Sequence, residues 1–290
     1  MCNKLTDELA VCGLNAVLAV GEHHPQTINR LFLREDRLKL LTGVCRQLAE
    51  RKRPYKICED EELERVCKSI HHQGVVAMIE EPVIESLSME DLFLWADEGK
   101  TGLVLHSVGN DHNLGAIARA AAFFGIYFIV VNEKDTAFAG AYEDNTLRLT
   151  TSAYRVAEGG MEHITIRKIS NTAAFLKDAS KRIITIGTDT RARMRISDLS
   201  KIVKDAKVKP FAGRSGQEDR PPQEIPGITN GLTKGTAKGI ALILGNEETG
   251  LPENVKDQCT YLLRIPGSGN IESLNVAQAA ALFMHAVFEA

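Results

Sequence analysis

The sequence is poor in paired cysteines and in net charge. Its six cysteines stand at positions 2, 12, 45, 58, 67 and 259, without a C-x-x-C spacing. This pattern argues against a disulfide-stapled secreted domain and against a structural zinc site. The 35 basic and 38 acidic residues give a net charge of −3. The chain is therefore not expected to coat nucleic acid by bulk charge, although this total is compatible with a local basic face.

The sequence pattern also argues against a signal peptide in the first residues and against a membrane-spanning run. The first residues carry Asp7 and Glu8 where a signal peptide would have its apolar core. Residues 114–131 are nearly all apolar, but Arg119 and Gly125 interrupt them. This run predicts a buried helix followed by a buried strand rather than a membrane span. We therefore expect a soluble, cytoplasmic protein.

The composition and the length indicate a globular protein with two domains. Hydrophobic residues make up 44% and charged residues 25% of the 290 residues, close to the globular average. At roughly 100–200 residues per domain, we expect one domain over 1–85, a linker over 86–100 with a short helix, and a second domain over 101–290. Residues 201–238 hold four of the nine prolines, so we expect a long surface insertion there.

The spacing of apolar residues predicts an α/β fold in both halves. Residues 36–52 place apolar side chains on one helical face, and strands are expected over 28–33, 55–58 and 74–79. From residue 102 onward, strands alternate with helices of 10–15 residues, which is typical of a parallel sheet. These strands are continuous apolar runs, as expected when helices cover both faces of the sheet.

Three segments carry more glycine, asparagine and hydroxyl residues than packing requires. They span 107–119, 244–251 and 265–276, and each follows a predicted strand. Ligands of open α/β sheets bind beyond the carboxyl ends of the strands, so one site built from three loops is expected. Each loop taken alone is also compatible with an ordinary strand-to-helix turn. No G-x-G-x-x-G and no phosphate-binding P-loop is present, which disfavours a nicotinamide dehydrogenase.

Taken in order, the three segments resemble the signature motifs of a known family. N-x-G-x-x-x-R ends at Arg119, L-G-N-E-x-x-G-L spans 244–251, and I-P…S-L-N spans 265–275. They resemble the motifs of the SpoU (TrmH) family, whose members are S-adenosylmethionine-dependent RNA 2′-O-ribose methyltransferases of the SPOUT superfamily. The resemblance implies an α/β catalytic domain over 101–290 with a trefoil knot, and an RNA substrate, either tRNA or rRNA.

The N-terminal unit resembles the substrate-binding domain of several family members, which is related to L30e-type RNA binders. Two departures stand out. The insertion at 201–238 is longer than usual, and Ala157 and Gly160 stand where relatives often carry Ser and Ala. Since neither departure lies within the three motifs, we expect both to affect the choice of substrate rather than the chemistry.

The resemblance also implies roles for individual residues. Arg119 would help to deprotonate the attacking 2′-hydroxyl or bind the adjacent phosphate. Arginine is a poor base because its own pKa exceeds ~12, so binding the phosphate and lowering the pKa of the hydroxyl electrostatically is an equally physical role. The residues expected to orient the reacting groups are Asn113, Glu247, Ser273 and Asn275, and those expected to bind S-adenosylmethionine are Thr188, Gly245, Ile265 and Leu274. Glycines at 245, 267 and 269 suit a backbone that approaches a ligand closely. The alternatives are a surface salt bridge for Arg119, a solvated loop charge for Glu247 and a helix N-cap for Ser273.

The expected partners are RNA and a second copy of the chain. Nine cations stand against three acids over residues 30–56, which indicates a phosphate-tracking face or simply a solvated helix surface. The candidate RNA-binding residues are Arg30, Arg34, Arg51, Lys52 and Arg53. The paired histidines at 23–24 and 71–72 lack a ligand set, so no metal is expected.

Family members build their active site across two subunits, so the resemblance implies a homodimer. The last helix carries an apolar stripe that would suit such an interface or pack within its own subunit, formed by Leu274, Ala277, Ala281, Met284 and Phe288, with Leu282 extending it. A catalytically silent RNA-binding protein of ribosome assembly is the alternative function. The intact motifs argue against it, because drift would be expected to erode them.

Overall fold

The computed structural model describes residues 2–3, 8–108, 110–133, 148–205 and 239–290. These residues form two β-sheets, each built from one half of the chain. Within this part of the chain, no helix has the length and apolar character that crossing a bilayer requires.

The first sheet has five strands in the order β1-β2-β5-β3-β4. Strand β3 runs antiparallel to β5 and parallel to the edge strand β4. Helices α1 and α2 cover one face, and α3 covers part of the other. The elements of this half are β1 Cys2–Asn3, β2 Glu8–Cys12, α1 Leu14–His23, β3 Ile28–Leu33, α2 Thr42–Glu50, β4 Tyr55–Ile57, α3 Asp60–Cys67 and β5 Val75–Glu80.

The second sheet has seven strands, all parallel, in the order β10-β12-β9-β11-β6-β7-β8. This confirms the predicted parallel α/β architecture. Its elements, preceded by α4 Met89–Asp97, are β6 Thr101–Leu105, α5 Asp111–Phe123, β7 Phe128–Asn132, α6 Thr151–Ala157, β8 Thr165–Ile169, α7 Thr172–Ala179, β9 Ile184–Thr188, β10 Met194–Arg195, α8 Leu199–Asp205, β11 Ile240–Leu244, α9 Glu253–Lys256, β12 Tyr261–Arg264 and α10 Val276–Phe288.

Helices cover both faces of the seven-stranded sheet, which explains why its central strands are continuous apolar runs. Helices α5, α6, α8 and α10 contribute to the core on one face, and α4, α7 and α9 to the core on the other. Trp95 of α4 is completely buried, and its indole N–H donates to the carbonyl of Ile240 over 2.9 Å. Burying an aromatic side chain of this size stabilises the fold by about 2–3 kcal/mol, so α4 is anchored firmly on the second sheet.

The two halves share one continuous apolar core. Helix α6 packs against β2, and Tyr154 of this helix is buried in the shared core. At its end, an added Cβ on Gly159 would lie only 2.9 Å from the Cβ of Ala19 in α1. Polar contacts border this region, because Asn15 Nδ2 donates to Glu158 Oε2 over 3.4 Å and His24 Nδ1 pairs with Glu162.

Three predicted boundaries are wrong. The helix expected over 36–52 begins only at Thr42, because residues 35–37 form a separate 3-10 turn fixed by the bond from Arg37 Nε to the carbonyl of Gln73. The expected insertion begins too early, since residues 201–205 belong to α8, where Ile202 and Val203 are buried. The rest of that insertion, 206–238, lies outside the described residues.

The third wrong boundary is the start of the last helix, α10, which begins at Val276. Ser273 does not cap it. The N-cap of α10 is Asn275, whose side-chain oxygen accepts the N–H of Ala277 over 2.8 Å.

Candidate functional site

The site lies where the direction of strand addition reverses in the second sheet. The chain adds β7 and β8 on one side of β6, and it places β11, β9 and β12 on the other side. At such a switch point ligands of open α/β sheets bind beyond the carboxyl ends of the strands. The loop after β6 and the loop after β11 lie there, and they contain the first and second motifs.

The side chain of Asn113 joins all three motifs. This residue lies in the first turn of α5, and its Nδ2 donates to Glu247 Oε1 in the loop after β11. Its Oδ1 accepts from Asn275 Nδ2 over 3.1 Å. The structure therefore brings three of the predicted orienting residues together, and Glu247 is hydrogen-bonded rather than merely solvated.

The loop after β11 folds back on itself and is held to the neighbouring loop. Asn246 Oδ1 accepts the N–H groups of Glu248 and Thr249 over 2.9 and 3.1 Å. Its Nδ2 donates to the carbonyl of Ser107 over 2.8 Å. The sequence reasoning did not single out Asn246 as a site residue, although its place between Gly245 and Glu247 in the motif was a usable signal.

The reason expected for the glycines needs correction. An added Cβ on Gly245 would lie 2.4 Å from the carbonyl carbon of Gly250, so the loop's own backbone requires this glycine. Gly269 has φ +85°, the left-handed region that favours glycine. An added Cβ on Gly267 would meet nothing within 4 Å. Open space therefore adjoins the third loop, and close approach to a ligand is not needed to explain Gly245.

The four predicted cofactor residues lie at the carboxyl edge of the second sheet. Thr188 ends β9, Gly245 follows β11 and Ile265 follows β12. Leu274 precedes α10 and is 39% exposed, and Ile271 in the same loop is 70% exposed. Exposed apolar side chains beside open space suit the binding of an adenosine group. Ser273 is exposed and forms no hydrogen bond with any other described residue.

An ion pair fixes the chain directly after Thr188. Asp189 Oδ2 lies 2.9 Å from Lys256 Nζ, and both side chains are about 15% exposed. Burial acts to raise the pKa of Asp189, but the N–H of Arg191 and the ammonium of Lys256 outweigh it and hold this pKa below its usual value. The loop that leaves β9 is therefore tied to the end of α9.

Arg119 lies apart from the other predicted catalytic residues. Its guanidinium forms an ion pair with Glu158, with Nη1 3.0 Å from Oε1, and no described contact joins it to Asn113, Glu247, Ser273 or Asn275. The surface salt bridge considered as the alternative is therefore present. Both side chains are partly exposed, 58% for Arg119 and 37% for Glu158, so the pair contributes only about 0–1 kcal/mol.

The segment 157–160 lies outside the three motifs in the sequence, but it packs against the first of them. Glu158 pairs with the motif arginine, and an added Cβ on Gly160 would lie 2.9 Å from the Cα of Arg119. An added Cβ on Gly115 would lie 2.6 Å from the carbonyl oxygen of Ala153, so α5 and α6 pack closely. Glu158 is a residue that the sequence reasoning missed.

The candidate RNA-binding residues fall into two groups. Arg30 pairs with Glu8, and Arg34 pairs with Asp36 and Asp60. Arg51, Lys52 and Arg53 are exposed at the end of α2 and form no ion pair within the described chain. No cluster of metal ligands was found among the described residues, and the buried His72 accepts the N–H of Gly74 at its Nδ1.

The last helix buries a different face from the predicted stripe. Val276, Ala280, Phe283 and Met284 are buried, so Met284 is the one member of the predicted stripe in the core. The other large members are partly exposed, at 39% for Leu274, 44% for Leu282 and 46% for Phe288. The stripe therefore packs only in part inside its own subunit, where Phe288 contacts Phe124 with 5.9 Å between ring centroids.

Two family models match the chain. The model of the SpoU rRNA methylase family matches residues 100–285, and the model for RNA 2′-O ribose methyltransferase substrate binding matches residues 10–83. The first match covers more than half of the chain and contains all three motifs.

Curated relatives match over nearly the whole length. The 23S rRNA (guanosine-2′-O-)-methyltransferase RlmB of Nitrosomonas europaea is 26% identical over 286 residues, which cover 98% of this chain and 92% of that protein. The enzyme of the same name from Acinetobacter baylyi is 27% identical over 278 residues, 94% of each chain.

Solved structures share the fold at low identity. An rRNA methyltransferase from Sinorhizobium meliloti superposes with a TM-score of 0.66 at 20% identity, covering 98% of this chain and 88% of that one. The SpoU methyltransferase AviRb from Streptomyces viridochromogenes, in complex with the cofactor AdoMet, gives 0.64 at 17% identity, covering 98% and 91%. The two-sheet architecture of this chain is therefore shared by both solved structures.

Proposed function

The chain belongs to the SpoU rRNA methylase family, and on this premise we propose that it transfers a methyl group from S-adenosylmethionine to a ribose 2′-hydroxyl of ribosomal RNA. The observation that carries the proposal is the side chain of Asn113, which joins the three family motifs through Glu247 and Asn275. The curated relatives that match nearly the whole chain are named for methylation of guanosine in 23S rRNA, and we propose the same class of nucleotide here.

We assign cofactor binding to Thr188, Gly245, Ile265 and Leu274. The first three lie at the carboxyl ends of neighbouring strands of the second sheet, and Leu274 lies in the third loop, where exposed apolar side chains would contact the adenosine. Bound S-adenosylmethionine supplies an activated methyl group on a sulfonium centre. The loops of this chain contribute orientation, which for well-positioned reactants is worth several kcal/mol.

We assign the orientation of the ribose to Asn113, Glu247, Ser273 and Asn275. Glu247 accepts from Asn113 and so fixes which way that amide points, and Asn275 fixes its other side. Ser273 is exposed beside them and is available to RNA. Because Asn113, Glu247 and Asn275 are held by one another before RNA binds, little reorganisation of these three groups accompanies the reaction.

We assign to Arg119 the binding of the phosphate next to the reacting ribose. A cation there stabilises the developing alkoxide and lowers the pKa of the 2′-hydroxyl. Its pair with Glu158 is weak because both side chains are partly exposed. A backbone phosphate can therefore replace Glu158 at little cost.

We propose that two copies of the chain complete the site. The guanidinium of Arg119 makes no described contact with Asn113, Glu247, Ser273 or Asn275 of its own chain. Phe123, four residues further along α5, is 81% exposed on the same helical face. Helix α10 packs beside α5 and exposes Leu282. Apolar side chains exposed on two adjoining helices fit a second copy, which would bring Arg119 to the loops of its partner.

We propose that the unit over residues 1–85 docks the RNA, with 86–100 as its linker to a catalytic domain over 101–290. The exposed cations Arg51, Lys52 and Arg53 are available to phosphates without breaking an ion pair, whereas Arg30 and Arg34 would have to exchange carboxylate partners. We therefore rank the first three above the other two as RNA contacts.

The test of the function is mass-spectrometric mapping of 2′-O-methyl groups in RNA from cells with and without the gene. We expect one guanosine of 23S rRNA to lose its methyl group without the gene and to regain it when purified protein and S-adenosylmethionine are added. A folded protein that binds RNA but gives no heat with S-adenosylmethionine in calorimetry would indicate the silent RNA-binding alternative.

A further inference from the structure

Arginines are concentrated along the edge of the second sheet farthest from β8. Arg191 and Arg193 lie in the loop between β9 and β10, and Arg195 ends the edge strand β10. All three are exposed. None belongs to the three motifs or to the cationic residues of the first half.

The strand register places a fourth arginine beside them. In the parallel pairing of β10 with β12, Met194 lies opposite Leu263 and Arg195 lies opposite Arg264. Met194 and Leu263 face the core that contains α10. Since side chains alternate along a strand, Arg195 and Arg264 face the other side together. Like charges directly opposite each other destabilise a sheet.

Two carboxylates lie near these arginines but bind their backbone, since Asp189 accepts the N–H of Arg191 and Asp198 accepts the N–H of Arg195. Arg191, Arg193, Arg195 and Arg264 form no ion pair with any described residue. The nearby Asp189 is taken by Lys256. In addition, Arg264 Nε is buried without a hydrogen-bond partner among the described atoms. Buried donors are nearly always satisfied, so this group requires an explanation.

A cavity of about 520 Å³ opens between the arginine loop and α9. Arg191, Arg193 and Lys256 line it, and Asp189 and Asp257 are its only acidic lining residues. With Lys256 balanced by Asp189, the two arginines leave the wall with an excess of positive charge over Asp257.

From these observations we propose that Arg191, Arg193, Arg195 and Arg264 form a second binding site for the phosphate backbone of the RNA substrate, an inference that rests on the proposed function. Ile265 directly follows Arg264 and Thr188 lies three residues before Arg191, so the site flanks the proposed cofactor loops. Strand β10 is four strand spacings from β6, about 19 Å, a distance that a few nucleotides span. Arginine is suited to this role because its planar fork binds phosphate through two hydrogen bonds.

The test compares two double variants of the full-length protein with the same loss of charge. Arg191→Gln with Arg193→Gln changes the proposed site, and Lys177→Gln with Lys181→Gln changes exposed residues in and just after α7 as a control. The affinity for 23S rRNA, the proposed substrate, is measured over a range of salt concentrations. The affinity for S-adenosylmethionine is measured by calorimetry. All four substituted side chains are exposed, so both variants are expected to fold.

We expect the arginine variant to bind RNA about tenfold more weakly at physiological salt, with the slope of log K against log salt reduced by about 1.4 for two lost contacts to single-stranded RNA. The control should match the wild type, and S-adenosylmethionine affinity should be equal in all three proteins. Arg191→Glu with Arg193→Glu should enlarge the loss.

Three results would contradict the proposal that these arginines bind the RNA backbone. One is an arginine variant whose affinity and salt slope equal those of the control. Another is a loss of S-adenosylmethionine affinity with unchanged RNA binding, which would assign the arginines to the cofactor. A third is wild-type protein that binds inorganic phosphate here while the variant keeps full RNA affinity. If the wild type binds this RNA but transfers no methyl group, the proposed function fails and the phosphate site stands.

Discussion

Replacing Arg119 by alanine separates catalysis from folding and from cofactor binding. The lost ion pair joins two partly exposed side chains and contributes no more than about 1 kcal/mol. For a chain of 290 residues, that energy corresponds to a decrease in Tm of no more than about 2 °C. None of the assigned cofactor residues contacts Arg119 in its own chain. The affinity for S-adenosylmethionine should therefore be retained, unless Arg119 also contacts the cofactor loops of a second copy in the proposed dimer.

The rate of methyl transfer should decrease far more. Removing a preorganised group that stabilises charge in the transition state costs about 10²–10³ in rate. The assay is single-turnover transfer of a labelled methyl group at saturating RNA, which excludes product release and weakened docking. Arg119→Lys keeps the charge but not the planar fork, so it should restore little activity if two-point phosphate binding matters.

Glu158→Gln is the matched control for this experiment. It removes the carboxylate partner of Arg119 and keeps the arginine itself, so its rate should stay well above that of Arg119→Ala. A near-normal single-turnover rate for Arg119→Ala would show that the arginine serves only its pair with Glu158, and the catalytic assignment would have to be abandoned.

Four further changes test other parts of the molecule. Gly245→Val would place side-chain atoms against the backbone of its own loop, so calorimetry should detect no S-adenosylmethionine binding. Changing residues 51–53 to glutamine should lower the salt slope of RNA binding by about 0.7–0.9 per lost contact and leave the rate at saturating RNA unchanged. If the chain forms the proposed dimer, wild-type protein should have the mass of two chains in light scattering and Leu282→Glu the mass of one. The pKa of Asp189 is lowered in the folded state. The ionised carboxylate therefore stabilises the fold fully above its unfolded pKa, and this stabilisation is lost as pH falls through the folded pKa. Lys256→Met should lower the free energy of unfolding by about 1–3 kcal/mol at neutral pH in denaturant titration and leave it unchanged in strong acid.

Much of the second sheet could be predicted because its strands are continuous apolar runs between polar turns. The rule that ligands gather at the carboxyl ends of parallel strands indicated that the loops after β6 and β11 would meet. The hydrogen bonds of Asn113 with Glu247 and Asn275 are the contacts that join these loops. Local patterns were sufficient here because each motif follows directly after its strand.

The contacts that depend on tertiary packing could not be predicted. Glu158 meets Arg119 only because the closely packed α5 and α6 bring two distant positions together. Ser273 and Asn275 are both ordinary N-cap residues, and the path of the third loop decides between them. The edge strand β10 has only two residues, too few for a period of two to be recognised in the sequence.

The shared core between the two halves has a consequence for which nucleotide reacts. Tyr154 and the contacts of Glu158 and Glu162 with the first half join the two sheets into one packed body. If the first half docks the RNA as proposed, this packing fixes the distance between the docked part of the RNA and the motif loops. We then expect the methylated position to be set by its distance from the docked element of the RNA fold, and not by the identity of the base alone.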